Sequence, residues 1–329
     1  MPRSNKIFFH GSIHFVSISV EEGFMFPPNP LIEELLKKCI AQAQQLHPIH
    51  ICALLVESTH IHLLIRVIDP QDAVNFFGRF KTESAHAVNR LLGRKKRTVW
   101  CEGYDSPLVD DIETIKDKIA YIYENPSKDG LVDQVDHFPG LSTWHDFKNL
   151  SPRSHTKRKY ETRYIARDEF KPLGGNPLKL QDYARLRRQL TYKKKKNSYE
   201  INFNAWMERF GITDPQEQHL VNQNIIGMVR EREAVHREAR EAKGRGVIGR
   251  RRLEDTTVGA PYQPDRKGRR MLVHSLDSEF RKRQISWIRE LIRAGREVLE
   301  RWRQGDFSVS YPMGLFPPTG VRLVEPIGW

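Results

Sequence analysis

Residues 57–66 read ESTHIHLLIR and contain two histidines, His60 and His62, separated by one isoleucine. Alternate side chains of a β-strand lie on the same face, so the two imidazoles would share a face and lie about 6–7 Å apart. Two imidazoles at that separation can bind one metal ion. A polar strand face that happens to carry two histidines shows the same pattern, so the pair alone does not decide the function.

A second pattern is YIYENP at 121–126, in which Tyr121 and Asn125 are one helical turn apart. On the helix predicted for 110–125, four isoleucines lie within an arc of about 80° and form the buried stripe. Tyr121 lies about 140° from the centre of that stripe, whereas Tyr123 lies near its edge and is expected to pack. Tyr121 therefore faces either solvent or another part of the protein. The isoleucines are Ile112, Ile115, Ile119 and Ile122.

A tyrosine phenol has a pKa near about 10 and is a poor nucleophile at neutral pH. A divalent ion on a phosphodiester withdraws electron density from phosphorus and orients it for in-line attack. Two neutral imidazoles and an amide oxygen could hold such an ion, and they permit Mn²⁺ as well as Mg²⁺. A phosphotyrosine keeps the energy of the broken bond, which suits cutting and rejoining. Glu57 could approach the same ion but is not included in the ligand set.

The elements that must position these residues follow the order β-α-β-β-α-β-α. This order predicts a ferredoxin-like antiparallel sheet of the α+β class, with helices on one face. Strands are predicted at 12–20, 49–56 and 59–67, a strand with a turn at 96–109, and helices at 27–46, 69–93 and 110–125, the last ended by Pro126.

The length of 329 residues suggests two domains, which we place at 1–150 and 151–329. Residues 151–163 read as a basic linker, after which we expect a mainly helical, basic C-terminal region. Helices are predicted at 178–192, 199–210, 215–242 and 277–304, with loops at 193–196 and 244–270.

Charge is distributed unevenly between the two parts. Residues 1–150 hold 16 Lys and Arg against 19 Asp and Glu, whereas 151–329 hold 38 against 22. Such asymmetry indicates a polyanionic partner, most often nucleic acid, although a basic tail kept for solubility is the alternative. No apolar run is long enough for a membrane helix. Three cysteines without paired spacing favour a reducing, cytoplasmic location.

Taken together, the motifs resemble those of the HUH endonucleases, and among them the single-tyrosine, IS200-like transposases associated with repetitive extragenic palindromes (REP). The likeness covers roughly residues 8–147. One departure is Ser58-Thr59, where the family usually has Pro-Asn before the first histidine; this changes the turn and not the ligands. The matching segments are HFV (14–16), THIHLLI (59–65), FFGRFKTESAHAVNR (76–90), VWCEGYDSPLV (99–109), YIYENPSKDGLV (121–132) and STWHDF (142–147).

The resemblance implies a function and a role for each matching residue. His60 and His62 would be metal ligands, Asn125 the third ligand and Tyr121 the nucleophile, with Mg²⁺ or Mn²⁺ as cofactor. The enzyme would nick and rejoin single-stranded DNA beside a REP-like hairpin, through a 5′-phosphotyrosine, during transposition. It would act as a monomer or homodimer in the cytoplasm, at the nucleoid, and would not bind a membrane.

Basic residues could contact DNA phosphates, although for each one alone a solvated charge is the more common explanation and the clusters carry more weight than their members. Trp100, Tyr104 and Trp144 could stack on bases or pack in the core. The basic candidates are Arg66, Arg79, Lys81, Lys118, Lys128, Lys157, Arg158, Lys159, Arg250, Arg251 and Arg252.

Two other functions stay open. A domesticated relative could hold hairpin DNA without cleaving it, but no residue of the predicted set is missing. A relaxase or rolling-circle-type initiator could also use one tyrosine after a His-x-His pair, but the YIYENP segment and its Gly-Leu-Val continuation fit those less well.

Overall fold

The computed structural model describes residues 6–21, 24–28, 30–92, 98–152, 156–165, 192–256 and 271–317, without the side chains of 162–165 and 192–196. None of the helices in these ranges is long and apolar enough to cross a membrane.

The first part of the chain follows the predicted order of elements. Strands β1, β2, β3 and β4 form an antiparallel sheet in the order β2-β3-β1-β4, which is the strand order of a ferredoxin-like fold. The elements are β1 Ile13–Ser19, α1 Pro30–Leu46, β2 His50–Val56, β3 His60–Arg66, α2 Pro70–Leu91, β4 Leu108–Val109, α3 Ile112–Lys128, a 3-10 turn Val135–His137 and the short α4 Trp144–Lys148.

Side-chain caps fix where two of the helices begin. Asp69 accepts hydrogen bonds from the backbone N–H groups of Gln71 and Asp72 at 2.8 and 3.0 Å, and Pro70 occupies the first turn of α2. Asp111 accepts from the Thr114 N–H at 2.7 Å at the start of α3. These bonds satisfy N–H groups that have no partner within the helix.

Helix α3 does not end at Pro126, as we predicted, but continues to Lys128. Proline removes one N–H donor from the helix, and its ring usually disfavours helical geometry in the residue before it. Here the Asp129 N–H bonds to the Asn125 carbonyl at 2.9 Å, and the Leu131 N–H bonds to the Pro126 carbonyl at 2.8 Å. These bonds close the last turn despite the proline.

The chain after residue 150 adds three strands to the same sheet, which has the order β5-β6-β2-β3-β1-β4-β7. The whole is a mixed seven-stranded sheet with helices, and the predicted α+β class is confirmed. The boundary near 150 stays a prediction, although strands from both sides share one sheet. The added elements are β5 Lys157–Ile165, β6 Tyr192–Asn202, a 3-10 turn Met207–Phe210, α5 Pro215–Glu241, α6 Arg250–Glu254, β7 Val273–His274 and α7 Ser278–Arg303.

Several predictions for this part were wrong. The linker at 151–163 contains most of β5, the loop at 193–196 lies in β6, and the helix at 199–210 is strand followed by a 3-10 turn. The predicted loop at 244–270 contains the short α6. Strands β5 and β6 pair antiparallel, and β5 is the sheet's edge strand, where exposed lysines are compatible with β structure. The predicted helix at 178–192 lies outside the described residues except for Tyr192, whereas those at 215–242 and 277–304 are confirmed.

Residues in strand β6 and directly after it belong to the main core. Ile201, Phe203 and Trp206 are fully buried, and the Phe203 ring lies 5.9 Å from that of Phe147. Strand β6 pairs in parallel with β2 through Ile201 and Ile51. The sheet that carries His60 and His62 is thus completed by residues far along the chain.

Candidate active site

The two histidines of β3 lie side by side on one face of the sheet. Their ring centroids are 4.5 Å apart, and His62 is buried whereas His60 is half-buried. Phe15 of the neighbouring strand β1 stacks on the His62 ring at 5.1 Å. Strand β1 pairs with β3 and sets Ser17 opposite His62. This pairing and the packing of Phe15 therefore fix the position of the imidazoles.

Tyr121 reaches the same face from α3. Its ring centroid lies 5.6 Å from that of His62 and 5.8 Å from that of Phe15, and the residue is half-buried. Tyr123 is fully buried, its hydroxyl hydrogen-bonds with Thr143 Oγ1 at 2.9 Å, and burial raises the pKa of its phenol above the usual range. Of these two tyrosines, Tyr121 is the one beside the histidines.

Two lysines flank the Tyr121 side chain. Lys128 Nζ donates a hydrogen bond to Tyr121 Oη at 3.0 Å and lies 4.5 Å from the ring centroid. Lys118 lies 5.6 Å from the ring centroid and forms an ion pair with Asp117 at 3.0 Å. The phenolic oxygen is therefore next to positive charge, which would also attract a phosphate.

Asn125 is one turn beyond Tyr121 on α3 and is buried. Its Nδ2 has no hydrogen-bond partner among the described residues. A half-turn of the amide group would place the side-chain oxygen at this position instead. Asn125 therefore offers one amide atom whose hydrogen-bonding capacity is not used among the described residues.

Two carboxylates lie at the histidines, and they are absent from the predicted ligand set. Glu57 is buried, and its Oε2 lies 3.3 Å from His60 Nε2. Asp129 follows the last turn of α3, and one ligand atom from each of Glu57, His60 and Asp129 lies within 4.8 Å of the other two. The position of Glu57 just before the β2–β3 turn could have identified it, whereas Asp129 depends on how α3 packs.

Burial sets the protonation of these groups. It lowers the pKa of His62 well below its ordinary value, helped by the neighbouring His60, and it also lowers the pKa of His60, against the effect of Asp129. Both rings are thus neutral at pH 7, the form in which imidazole binds metal. Burial and the nearby Asp129 raise the pKa of Glu57 well above its ordinary value.

The donor set fits a divalent cation. Among the described residues, both ring nitrogens of His62, the Oε1 of Glu57 and the Nδ2 of Asn125 are buried without a hydrogen-bond partner. Buried polar atoms without partners cost free energy, and a bound cation would supply the missing interaction for the Glu57 oxygen and for the unprotonated nitrogen of the neutral His62 ring. Imidazole and carboxylate ligands together suit Mg²⁺, Mn²⁺ and related ions.

Most of the predicted DNA-contacting residues are engaged within the protein. Lys81 donates to the carbonyl oxygens of Cys101 and Gly103 at 2.8 and 2.6 Å, in the loop before β4. Others form ion pairs, and these charges are partly neutralised before any DNA binds. The pairs are Arg66–Glu208 at 2.5 Å, Arg79–Glu83 at 3.2 Å, Lys157–Glu200 at 3.8 Å and Arg250–Glu254 at 2.9 Å.

For the remaining basic candidates, the described residues show no contact with Tyr121. Lys159 is exposed on β5, and Arg251 and Arg252 are exposed on α6. Arg158 is half-buried on β5. Among the basic candidates, Lys118 and Lys128 are the ones that contact the tyrosine.

The aromatic candidates for base stacking mostly pack inside the protein. Trp100 and Trp144 are buried, in agreement with the packing alternative. Tyr104 is half-buried, and the Lys6 ammonium lies 3.5 Å from its ring centroid.

Helix α5 packs along α3 and holds it by ion pairs that the sequence did not predict. Arg232 pairs with Asp117 at 2.6 Å and with the buried Glu124 at 3.6 Å. His236 lies 3.4 Å from the other oxygen of Glu124. Arg240 pairs with Asp133 at 2.7 Å and also donates to the Ser127 carbonyl. The C-terminal part of the chain therefore positions the helix that carries Tyr121 and Asn125.

The family model described as "Transposase IS200 like" matches residues 8–125, a segment that contains the histidine pair, Tyr121 and Asn125. No curated protein matches the chain. Six chains of solved structures match. One, described as "Structure of the REP associates tyrosine transposase bound to a REP hairpin", has 20% sequence identity and a TM-score of 0.38, covering 45% of this chain and 86% of that chain. Over residues 8–125, the chain thus matches the IS200-like transposases, the family that its histidine and tyrosine motifs resemble.

Proposed function

We propose that this protein is a metal-dependent, single-stranded DNA endonuclease and strand transferase that acts in DNA transposition. The observation that carries the proposal is the contact between Tyr121 and His62, whose ring centroids are 5.6 Å apart although they lie on different elements. The match of residues 8–125 to IS200-like transposases supports it.

His60, His62 and Asn125 would hold the divalent ion, Mg²⁺ or Mn²⁺. When bound, the ion withdraws electron density from phosphorus and neutralises charge on the phosphate oxygens. The β1–β3 pairing and the packing of α3 keep these three side chains in place before DNA binds. Little reorganisation is then needed when the phosphate enters.

Tyr121 is the proposed nucleophile. Its Oη forms a bond to phosphorus while the bond between phosphorus and the 3′-oxygen breaks. The phenol proton is lost to solvent, and the departing 3′-oxygen takes up a proton. The products are a 5′-phosphotyrosine and a free 3′-OH. A second 3′-OH then attacks the phosphotyrosine, which rejoins the strands and releases Tyr121.

The proposed partner is single-stranded DNA folded as a REP-like hairpin, as the family resemblance implies. The excess of basic residues in 151–329, 38 against 22 acidic ones, supports contact with phosphates, and we propose this region as a DNA-binding extension. Tyr121 and the histidines meet within one chain, which supports cleavage in cis, and the protein would act as a monomer or a homodimer. We place the reaction in the cytoplasm, at the nucleoid.

A covalent-adduct assay tests this function. The full chain is incubated with labelled single-stranded hairpin DNA and Mg²⁺ or Mn²⁺ and separated on denaturing gels, beside Tyr121→Phe and Tyr123→Phe. We expect a metal-dependent adduct that Tyr121→Phe abolishes and Tyr123→Phe retains, because the Tyr123 hydroxyl is buried against Thr143.

Other outcomes identify the competing functions. Loss of the adduct only in Tyr123→Phe would identify Tyr123, and not Tyr121, as the nucleophile. Tight hairpin binding without an adduct would indicate a non-cleaving, domesticated hairpin-binding protein. Equal cleavage of unfolded single strands would favour a relaxase or rolling-circle-type initiator.

A further inference from the structure

We propose that Glu57 and Asp129 bind the divalent cation directly and give this site its preference for Mg²⁺ and Mn²⁺. The inference rests on the proposed function and deepens it, because it adds two carboxylates to the set of two histidines and one amide. It also joins the cation to the turn between β2 and β3 and to the end of α3.

The first argument is geometric. One ligand atom from each of Glu57, His60 and Asp129 lies within 4.8 Å of the other two. Ligand atoms about 2.2 Å from a shared ion are at most about 4.4 Å apart. The three groups are therefore close to ligand spacing.

The second argument comes from buried atoms without partners. Glu57 is 3% exposed and His62 is 5% exposed. Among the described residues, the Oε1 of Glu57 and both ring nitrogens of His62 have no hydrogen-bond partner. The His62 ring lies beside that of His60, with centroids 4.5 Å apart. A cation between these groups would satisfy the Glu57 oxygen and the unprotonated His62 nitrogen, which otherwise lose hydration without compensation.

The orientation of His60 supports the same site. Thr59 Oγ1 lies 2.9 Å from His60 Nδ1, and that contact leaves Nε2 on the side of Glu57, 3.3 Å from its Oε2. A hydrogen bond to one imidazole nitrogen commonly fixes the ring so that the other nitrogen can bind metal.

The ligand types then decide which ion is preferred. Two imidazoles without carboxylates favour late transition ions such as Zn²⁺, whereas carboxylate oxygens favour Mg²⁺ and Mn²⁺. Glu57 and Asp129 add negative charge and hard oxygen ligands to the histidine pair. We infer that the carboxylates make the site suitable for the ions that phosphate chemistry uses.

The test measures ion binding without DNA and without activity. Mn²⁺ is titrated into the full chain by calorimetry and by electron paramagnetic resonance, for the wild type, Glu57→Gln, Asp129→Asn and His62→Ala. Glu113→Gln is the matched control, because Glu113 is exposed in the first turn of α3 and pairs with Lys116. Competition with Zn²⁺ gives the ion preference of each variant.

We expect each carboxylate variant to weaken Mn²⁺ binding by about tenfold or more, with a smaller loss for Zn²⁺, while Glu113→Gln binds as the wild type does. Wild-type affinity in both carboxylate variants, together with loss of binding in His62→Ala, would overturn the inference and leave the histidine site of the proposed function standing. Absence of Mn²⁺ binding in the wild type would overturn both the carboxylate ligands inferred here and the histidine metal site of the proposed function. Asp129→Asn alters an exposed side chain, so it reports on binding even if Glu57→Gln affects folding.

Discussion

Tyr121 and Tyr123 are two residues apart on α3 but have opposite surroundings. Tyr123 packs against Trp144 and Phe147 inside the protein, whereas Tyr121 lies against His62 with Lys128 on its hydroxyl. The lysine donates to the atom that would attack phosphorus. Lys128 thus contacts the hydroxyl of Tyr121 directly, whereas its charge alone predicted only a general contact with DNA.

Replacing Lys128 should slow the chemical step. Lys128→Met removes a positive charge that stabilises negative charge on Tyr121 Oη as its proton leaves, so we expect the rate of adduct formation to fall about 10–100-fold at saturating DNA. Lys128→Arg should retain much of the rate. The measurement is single-turnover adduct formation together with hairpin affinity.

Lys116→Met is the control, because Lys116 lies on the same helix and pairs with Glu113. If Lys128→Met weakened only hairpin affinity and left the saturated rate unchanged, Lys128 would be a phosphate contact and not a partner of the nucleophile.

At the scale of elements, α3 is held between the sheet and α5. Its residues Asp117 and Glu124 pair with Arg232, and the buried Glu124 is also close to His236. Burial raises the pKa of Glu124, while the nearby Arg232 and His236 oppose that shift. Helix α5 thus compensates a carboxylate that would be unfavourable if it were buried alone.

Arg232→Met should therefore loosen α3. We expect the free energy of unfolding to decrease by about 1–3 kcal/mol, since Glu124 and Asp117 lose a partly buried partner, and we expect adduct formation to decrease with it. Urea denaturation and the adduct assay measure the two effects.

Arg237→Met provides the matched comparison, because Arg237 is exposed on the same helix. We expect it to change stability by less than about 0.5 kcal/mol. Equal stability of the two variants would show that the pairs between α5 and α3 do not hold the tyrosine helix.

At the scale of the whole molecule, the basic C-terminal part is structural as well as charged. Strand β6 pairs with β2 in the sheet that also contains β3. Phe203 and Trp206 are fully buried in the main core. Removing 151–329 would expose this core. In a truncated chain, a loss of DNA contacts could therefore not be distinguished from a loss of folding.

A single substitution measures the structural contribution of this region without removing its charges. Trp206→Ala should lower the free energy of unfolding by about 3–5 kcal/mol, because it leaves a large cavity in the core. Trp287→Ala changes the same residue type at a site that is 43% exposed, and we expect a cost below about 1.5 kcal/mol. Urea denaturation compares the two, and similar costs would mean that Trp206 does not contribute to the core as its burial indicates.

The sequence predicted the order of the first seven elements because most carried a local signal, although only Leu108 and Val109 of the segment 96–109 form the strand β4. The alternation around His60 and His62 indicated a strand, Asp69 marked the start of α2, and the isoleucine stripe of α3 separated the face of Tyr121 from that of Tyr123. After residue 150 the local signals were weaker. Tyr199, Ile201 and Phe203 alternate as buried strand residues, but the lysines before them favoured a loop.

What the sequence determined by itself is the set of chemical groups and their order: two histidines on one strand, then a tyrosine and an amide on one helix. These follow from periodicities of two and 3.6 residues, which are local properties of the chain. Only the tertiary structure decided that Glu57 and Asp129 lie beside His60, that Lys128 bonds to Tyr121, and that α5 holds α3. Those contacts join residues from different elements, and their distances depend on how the elements pack.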